Sequence, residues 1–396
     1  MKITVLSHFY PPEIGAAQRR LDAFVSRWVE DGQSVRVVTA LPHYPRGKLQ
    51  DGYKWSRSFR RESGPHGEEV IRVPFFPASN ARASKLLDYM TVSSMLIVPA
   101  ATRAGDVVLA TAPPVPILVP AFVASRVNRI PLVLEMRDAW PDLIYEAGVA
   151  RGAMGKRVVS LVSKAQRSAE RVVTVSQDFA SILVDRGVDA ERVQCISNGI
   201  DIEVVPLLPP PTRDNELKVL YLGTHGVSQD LETAIHALAR VGREKVRARF
   251  VGDGTEKNRL RRLSSELGAP VTFEEPVRGA RLWETYQWAD VCLVTLKDWP
   301  SFRYTIPSKI YEILACGRFI LGSVEGEAAR VIEQSSGGVA VKSGDVDALS
   351  ASMERLVMDR NVLNVGEVPR RWVAEHAGYH SLATKYLELL RVVVRR

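Results

Sequence analysis

The chain reads as two α/β domains in tandem, each a doubly wound, Rossmann-like parallel sheet, with a cleft between them. Three observations predict this. Its 396 residues exceed what one core usually serves. Short β-branched runs alternate with helical segments along nearly the whole length. Most of these runs are continuously apolar, as parallel strands covered on both faces require. A proline-rich interruption, Val204–Asp214, then divides the alternation in two, since it continues neither helix nor central strand.

In the first half the expected strands are Ile3–Ser7, Val35–Ala40, Val70–Phe75, Val107–Thr111, Leu132–Met136, Val172–Ser176 and Val193–Asn198. Helical stretches at Ala17–Glu30, Pro116–Arg126 and Gly155–Glu170 lie between them. Repeated β-then-α units of this length imply a parallel sheet with helices on both faces. In the second half the strands fall at Val219–Gly223, Arg249–Gly252, Val271–Glu274, Asp290–Thr295, Phe319–Ser323 and Gly338–Val341. Helices there fall at Ser228–Arg240, Glu256–Leu267, Ser308–Ala315 and Asp345–Met358, and a long one at Tyr379–Val394 follows the second sheet. The domains are therefore set at residues 1–200 and 201–378.

Composition narrows the class. With 46% hydrophobic and 25% charged residues the chain is globular, which sets aside disordered and fibrous proteins. Cys195, Cys292 and Cys316 are widely spaced beside apolar runs and read as buried reduced thiols, with no metal or disulfide framework. The N-terminus reads as a first strand and lacks the pattern of a signal peptide. Leu86–Ala101 is too short and too interrupted to span a bilayer. The expected location is the cytoplasm, with peripheral contact at the inner face of the membrane left open. The net charge of +8 is spread along the chain without aromatic–basic interleaving, so nucleic acid is not the expected partner. An anionic membrane surface or anionic substrate suits it better, with Arg57, Arg60, Arg61, Arg82 and Lys85 bracketing the apolar stretch.

The candidate chemistry lies at strand ends. Ligands of open α/β sheets bind outside the carboxyl ends of the strands. After the first strand, His8–Gln18 lacks the G-x-G-x-x-G dinucleotide fingerprint, which argues against a nicotinamide enzyme. Gly15 at the helix start still lets a substrate approach backbone N–H groups. Arg137 and Asp138 follow the strand Leu132–Met136 and are candidates for acceptor binding or proton transfer; a structural Arg–Asp pair is the alternative. Ser197–Asp201 supplies an Asn-Gly turn where the first domain ends.

The most specific segment is Arg303–Gly317. Ser308 can cap a short helix, Pro307 separates it from the loop, and Gly317 can end it. Lys309 and Glu312 lie three residues apart, hence on one face near the positive end of that helix. A cation there is unfavourable unless an anion joins it, which a nucleoside diphosphate would do. A carboxylate one turn along can accept hydrogen bonds from ribose hydroxyls. Gly223–Gly226, Gly252–Gly254 and Glu325–Glu327 are three further turns on the same edge, suited to closing backbone on a phosphate or base.

Taken in order, the segments Lys2–Gly15, Val37–Pro45, Leu134–Pro141, Ile196–Asp201 and Pro307–Gly317 resemble glycosyltransferase family 4. Within it they are closest to the branch that builds bacterial surface polysaccharides, including fucosamine-type transferases. The resemblance covers nearly the entire chain and implies a GT-B fold. Its N-terminal domain would bind the acceptor, its C-terminal domain would bind the donor, and residues 379–396 would pack back on the first domain. It implies a retaining, metal-independent transferase using a UDP-sugar or related donor and no separate cofactor. Gly15, Gly223, His225, Gly252, Pro307, Ser308, Lys309, Ile310, Glu312 and Glu327 would line the donor. Lys309 and Arg303 would stabilise the leaving diphosphate, and Glu312 would hold the ribose. Asp138 would act in catalysis, while Glu13, His43 and Arg137 would meet an acceptor that is lipid-linked or a soluble aglycone.

Two positions depart from the family pattern. The family commonly carries two glutamates with seven residues between them; Glu312 is the second, but Tyr304 holds the earlier position. His225 stands where an arginine is expected in the loop after Gly223. These departures motivate one other reading, a non-catalytic sugar-nucleotide-binding partner; the same two-domain architecture also admits a nucleotide-sugar epimerase or a glycosyltransferase for a soluble natural product.

Overall fold

The computed structural model describes residues 1–13, 15–44, 47–55, 58–77, 82–138, 153–211 and 216–395. Ile14, Arg57, the segment from Trp140 to Arg151, Thr212, Arg213 and Asp214 lie outside them, as does the side chain of Arg82. The chain divides into two compact units, Met1–Asn198 with Tyr379–Arg396, and Gly199–Gly378.

The first unit holds β1 (Lys2–Leu6), β2 (Ser34–Ala40), β3 (Arg60–Ser63), β4 (Glu69–Val73), β5 (Val107–Ala112), β6 (Leu132–Met136), β7 (Arg171–Thr174) and β8 (Val193–Cys195). They form one sheet in the order β3-β4-β2-β1-β5-β6-β7-β8. Every pairing is parallel except β3 with β4. Its helices are α1 (Ala16–Glu30), α2 (Arg82–Ala101), α3 (Leu118–Asn128), α4 (Ala153–Ser168), α5 (Gln177–Asp185) and, from the C-terminus, α13 (Tyr379–Arg395). The second unit holds β9 (Leu217–Leu222), β10 (Val246–Val251), β11 (Val271–Glu274), β12 (Val291–Thr295), β13 (Phe319–Ser323) and β14 (Gly338–Val341). Its helices are α6 (Leu231–Val241), α7 (Lys257–Glu266), α8 (Ala280–Trp288), α9 (Lys309–Ala315), α10 (Glu327–Gln334), α11 (Val346–Met358) and α12 (Val368–Ala377). The strand order β11-β10-β9-β12-β13-β14, all parallel, is that of a Rossmann sheet. The order reverses between β9 and β12, and in the first unit between β1 and β5. Those two points are where such sheets hold ligands.

The apolar runs of the sequence become the strands because both faces of each sheet are covered. The six residues of β5 are all buried, as are the five of β6, β12 and β13. Helix α13 belongs to the first core. Trp28 on α1 donates from Nε1 to the Ala383 carbonyl at 3.0 Å, and Tyr386 packs against both Phe24 and Trp28. The proline-rich segment is pinned to the second unit by two arginines that donate to carbonyls. Arg370 reaches Ile202, Val205 and Ala315, and the fully buried Arg318 reaches Pro209 and Tyr286.

Several details differ from expectation. Arg60 and Arg61 lie on the antiparallel edge strand β3. The stretch Leu86–Ala101 is the body of α2, and among the described residues no helix is long and apolar enough to cross a membrane. Asp88 does not simply interrupt that stretch; it points inward and is buried. Cys292 and Cys316 are buried thiols, whereas Cys195 is only half-buried because β8 is the edge of its sheet.

Candidate functional site

At the carboxyl end of β9 the backbone turns at Gly223 with φ of +149°. A Cβ on this residue would lie 2.7 Å from Lys309 Nζ, so the glycine makes room for an ammonium. Lys309 opens α9, and its Nζ sits 4.1 Å from the centre of the Tyr221 ring. The same ammonium donates to Gln229 Oε1 at 3.3 Å. The Tyr221 hydroxyl lies 2.8 Å from the Thr224 carbonyl and 3.0 Å from Gln229 Oε1. These partners are neutral, and burial pushes the Lys309 amine down to about 7, against the pull of Glu312. The site thus presents a cation whose charge is incompletely compensated, at the point where the strand order reverses.

Glu312, one turn further along α9, accepts a 2.6 Å hydrogen bond on Oε1 from the buried Tyr286 hydroxyl of α8. Among the described residues, no side chain donates to its second oxygen. Ser308 occupies the N-cap position but makes no side-chain capping bond, because its backbone is already helical. Ile310 is not placed to touch a donor, since its side chain is in the core and its N–H is taken by the Pro307 carbonyl. Gly317, at φ +74°, ends the helix.

The turn after β10 interlocks with the turn after β9. A Cβ on Gly252 would meet the Gly223 carbonyl oxygen at 1.9 Å, and one on Gly254 would meet the His225 backbone at 2.3 Å. Lys257 ties the same ends together, donating to the Gly252 and Glu274 carbonyls at 2.8 and 3.0 Å and to Glu275 at 2.8 Å. His225 is fully buried beside them, and among the described residues neither ring nitrogen has a hydrogen-bond partner. Burial, aided by Lys257, pushes it down to about 4, so it is neutral near pH 7. It cannot replace the expected arginine as a phosphate cation. On the far side of β12, Arg303 is largely exposed, with its guanidinium 3.6 Å from Glu325. Its carbonyl oxygen occupies the place a Cβ on Gly326 would need, at 1.8 Å. Glu327 is the first residue of α10.

In the first unit, Gly15 starts α1 in extended backbone. Glu13 is buried, and its carboxylate is occupied by backbone donors: His43 N at 2.8 Å, Tyr44 N at 2.7 Å and Tyr10 N at 3.2 Å. It holds the loop after β2 against the loop after β1, which is a positioning task. His43 stacks on Phe75 at 4.1 Å, and its Nε2 lies 3.1 Å from Asp88 Oδ2. His8 Nε2 lies 3.1 Å from that same oxygen. Burial alone would raise the Asp88 carboxyl, but the hydrogen bonds from His43 and His8 outweigh it and hold the group down to about 2. Arg137 turns back onto the end of β5, donating to Thr111 Oγ1 and the Pro113 carbonyl at 2.8 Å each, while Asp138 is exposed. The neighbouring Glu135 is buried in an ion pair with Arg20 at 3.0 Å.

Sequence reasoning missed Tyr221, Gln229, Tyr286 and His8 as partners of these groups. Nothing in their local spacing marks them, because Gln229 and Lys309, Tyr286 and Glu312, and His8 and Asp88 lie far apart in the sequence.

Comparison with known proteins completes the assignment. Residues 15–199 match the model of the glycosyl transferase 4-like domain, and residues 216–359 match that of glycosyl transferases group 1. Among solved structures, sucrose-phosphate synthase from Thermosynechococcus elongatus superposes with a TM-score of 0.75 at 17% identity, covering 99% of this chain and 98% of that one. The Anabaena protein HepE, solved in complex with UDP-glucose, gives 0.69 at 19% identity, covering 99% and 100%. The fold is therefore GT-B. The chain belongs to glycosyltransferase family 4. It is 26% identical over 381 residues to the putative colanic acid biosynthesis glycosyl transferase WcaI of Escherichia coli, covering 90% of this chain and 92% of that one. It is 24% identical over 302 residues to the probable glycosyltransferase WbjE of Pseudomonas aeruginosa, covering 73% and 75%.

Proposed function

We propose that this glycosyltransferase moves a sugar from a UDP-sugar, with retention at the anomeric carbon, to a hydroxyl acceptor in cell-surface polysaccharide or glycolipid assembly. The observation that carries the donor half is Lys309: a desolvated amine seated on Gly223, in contact with the neutral Tyr221 and Gln229, one turn from a carboxylate fixed by Tyr286. A diphosphate supplies the missing negative charge, and Glu312 receives the ribose hydroxyls on its remaining acceptor sites. Arg303, exposed at the next strand end, adds a second positive charge, and Glu327 stands where α10 begins. In the reaction the bond from the anomeric carbon to the phosphate oxygen breaks. The acceptor oxygen bonds to that carbon from the same face, and its proton passes to the departing phosphate. Fixed positive charge at Lys309 and Arg303 stabilises the leaving group, with no bridging metal invoked. Gly15, His43, Arg137 and Asp138 are the acceptor-side candidates.

UDP as the base follows from likeness to HepE, and polysaccharide assembly from the names of the two relatives. A lipid-linked acceptor is supported by α2, where Leu86, Leu87, Met90 and Val98 are each more than half exposed, next to the exposed Lys85. Such a face suits peripheral contact with an anionic bilayer.

The test is a thermal-shift panel of UDP, GDP, dTDP, CDP and NAD on wild type and Glu312→Ala, followed by product analysis with the stabilising nucleotide's sugar. Stabilisation by UDP that the variant loses supports the reading. Failure of all five ligands to shift the unfolding temperature overturns it.

A further inference from the structure

Three ligand-type side chains from three elements meet inside the first unit. His8 follows β1, His43 follows β2, and Asp88 lies on α2. All are buried, and one nitrogen or oxygen of each lies within 4.8 Å of the other two. Both histidines direct Nε2 at the same atom, Asp88 Oδ2, at 3.1 Å.

The proton positions make this arrangement informative. His43 Nδ1 lies 2.7 Å from the Leu41 carbonyl oxygen, which can only accept, so Nδ1 carries the hydrogen. In a neutral ring Nε2 is then a lone pair, and it faces a carboxylate oxygen that also only accepts. Two lone pairs at this distance repel unless a positive charge lies between them, either a second proton on the ring or a metal ion that takes its place. His8 places no demand on its ring proton, because its Nδ1 is buried without a partner, and its Nε2 is therefore equally able to offer a lone pair. Three potential donor atoms thus lie within 4.8 Å of one another.

The surroundings also match those of a metal centre. Ligating histidines characteristically donate their other N–H to a carbonyl, as His43 does to Leu41. Ligating carboxylates are themselves held, as Asp88 Oδ1 is by the Phe76 N–H at 3.2 Å. A tetrahedral cation at about 2.1 Å from each ligand sets its ligands roughly 3.4 Å apart, and each histidine lies 3.1 Å from the carboxylate oxygen.

We propose that His8, His43 and Asp88 form a structural site for a zinc-class divalent cation. Two imidazoles and a carboxylate are a borderline donor set suited to zinc rather than to magnesium or calcium. The ion would clamp the loops after β1 and β2 to α2, and so fix the acceptor-side loops without entering the donor chemistry. This departs from the expectation of a chain without metal.

The experiment uses the full chain, stripped with chelator, incubated with Zn2+, passed through a desalting column, and measured by elemental analysis and thermal unfolding. About one zinc per chain and a rise in unfolding temperature are expected, both lost in Asp88→Asn and His43→Gln, and both kept in His66→Gln, which removes a surface imidazole. Cobalt in place of zinc should give the visible absorption of a tetrahedral nitrogen–oxygen site. Wild type that retains no zinc overturns the proposal whether or not the variants fold, as does zinc that survives both ligand substitutions. Ring-nitrogen NMR of zinc-treated wild type showing His43 still doubly protonated would identify a buried imidazolium–carboxylate pair and also overturn it.

Discussion

The Tyr286 hydroxyl donates to Glu312 Oε1 at 2.6 Å, from α8 to α9, and so fixes the rotation of the carboxylate proposed to hold the donor ribose. A hydrogen bond to a charged group contributes about 1.5–3 kcal/mol. Tyr286→Phe removes it with little change in volume. The donor KM should rise about tenfold while kcat changes by less than a factor of three. Glu312→Ala should cost more in kcat/KM than Tyr286→Phe does. Steady-state kinetics on both variants separates positioning from direct contact. Equal KM in wild type and Tyr286→Phe would remove Tyr286 from the donor site.

Lys309 makes donor affinity depend on pH. In the empty site burial holds its amine down to about 7, and a bound diphosphate restores a higher value. Below pH 7 the ammonium is already formed and affinity is flat. Above pH 7 binding must draw a proton from solution, so affinity should fall by up to about tenfold per pH unit. Calorimetric titration of UDP-glucose at pH 8, in buffers of different ionisation enthalpy, should show proton uptake. Lys309→Met should bind weakly and without that uptake. Release of protons on binding would contradict the assignment.

The fold was legible because its signal is local and repeated. Val271–Glu274, Phe319–Ser323 and Gly338–Val341 are apolar runs bounded by turns, and the strands form there. Strand β3 was not legible, since Arg60–Ser63 is polar and exists through antiparallel pairing with β4. Lys309 and Glu312 could be read from helical spacing. Tyr221, Gln229 and Tyr286 could not, because they meet Lys309 and Glu312 only through tertiary contacts that no sequence window contains. His225 was misjudged for a related reason. Its position in a glycine turn suggested a ligand contact, but the interlocked Gly252–Gly254 turn buries the ring.

That burial has a measurable cost in acid. His225 takes a proton only near pH 4 in the folded chain, against 6.5 for an ordinary imidazole. Between these values the unfolded chain binds more protons, so stability is lost as pH falls from 6.5 toward 4, by up to about 3 kcal/mol. His225→Leu, which keeps the volume and removes two unpartnered nitrogens, should flatten this decline in the second unit and leave stability at pH 7.5 equal or higher. Unfolding temperature recorded every half pH unit checks it. Parallel profiles for wild type and variant would show that another group controls acid stability.

Two glycines separate backbone necessity from ligand approach. Gly252 has φ of +148°, and a Cβ there would lie 1.9 Å from the Gly223 carbonyl, so Gly252→Ala must displace the turn beneath Lys309. Strain of this kind costs about 2–4 kcal/mol, and the unfolding temperature should drop by several degrees together with donor affinity. Gly15 is different. Its φ of −173° is open to any residue, and the atoms a Cβ would press on first are those of the side-chain amide of the buried Gln18, which must shift to make room. Gly15→Ala should therefore unfold close to the wild-type temperature. If a substrate approaches the backbone at the start of α1, the methyl group will lower turnover at least tenfold in a protein of unchanged stability. Turnover and unfolding temperature measured on the same preparations decide it, and an active, stable Gly15→Ala would leave Gly15 as a turn residue alone.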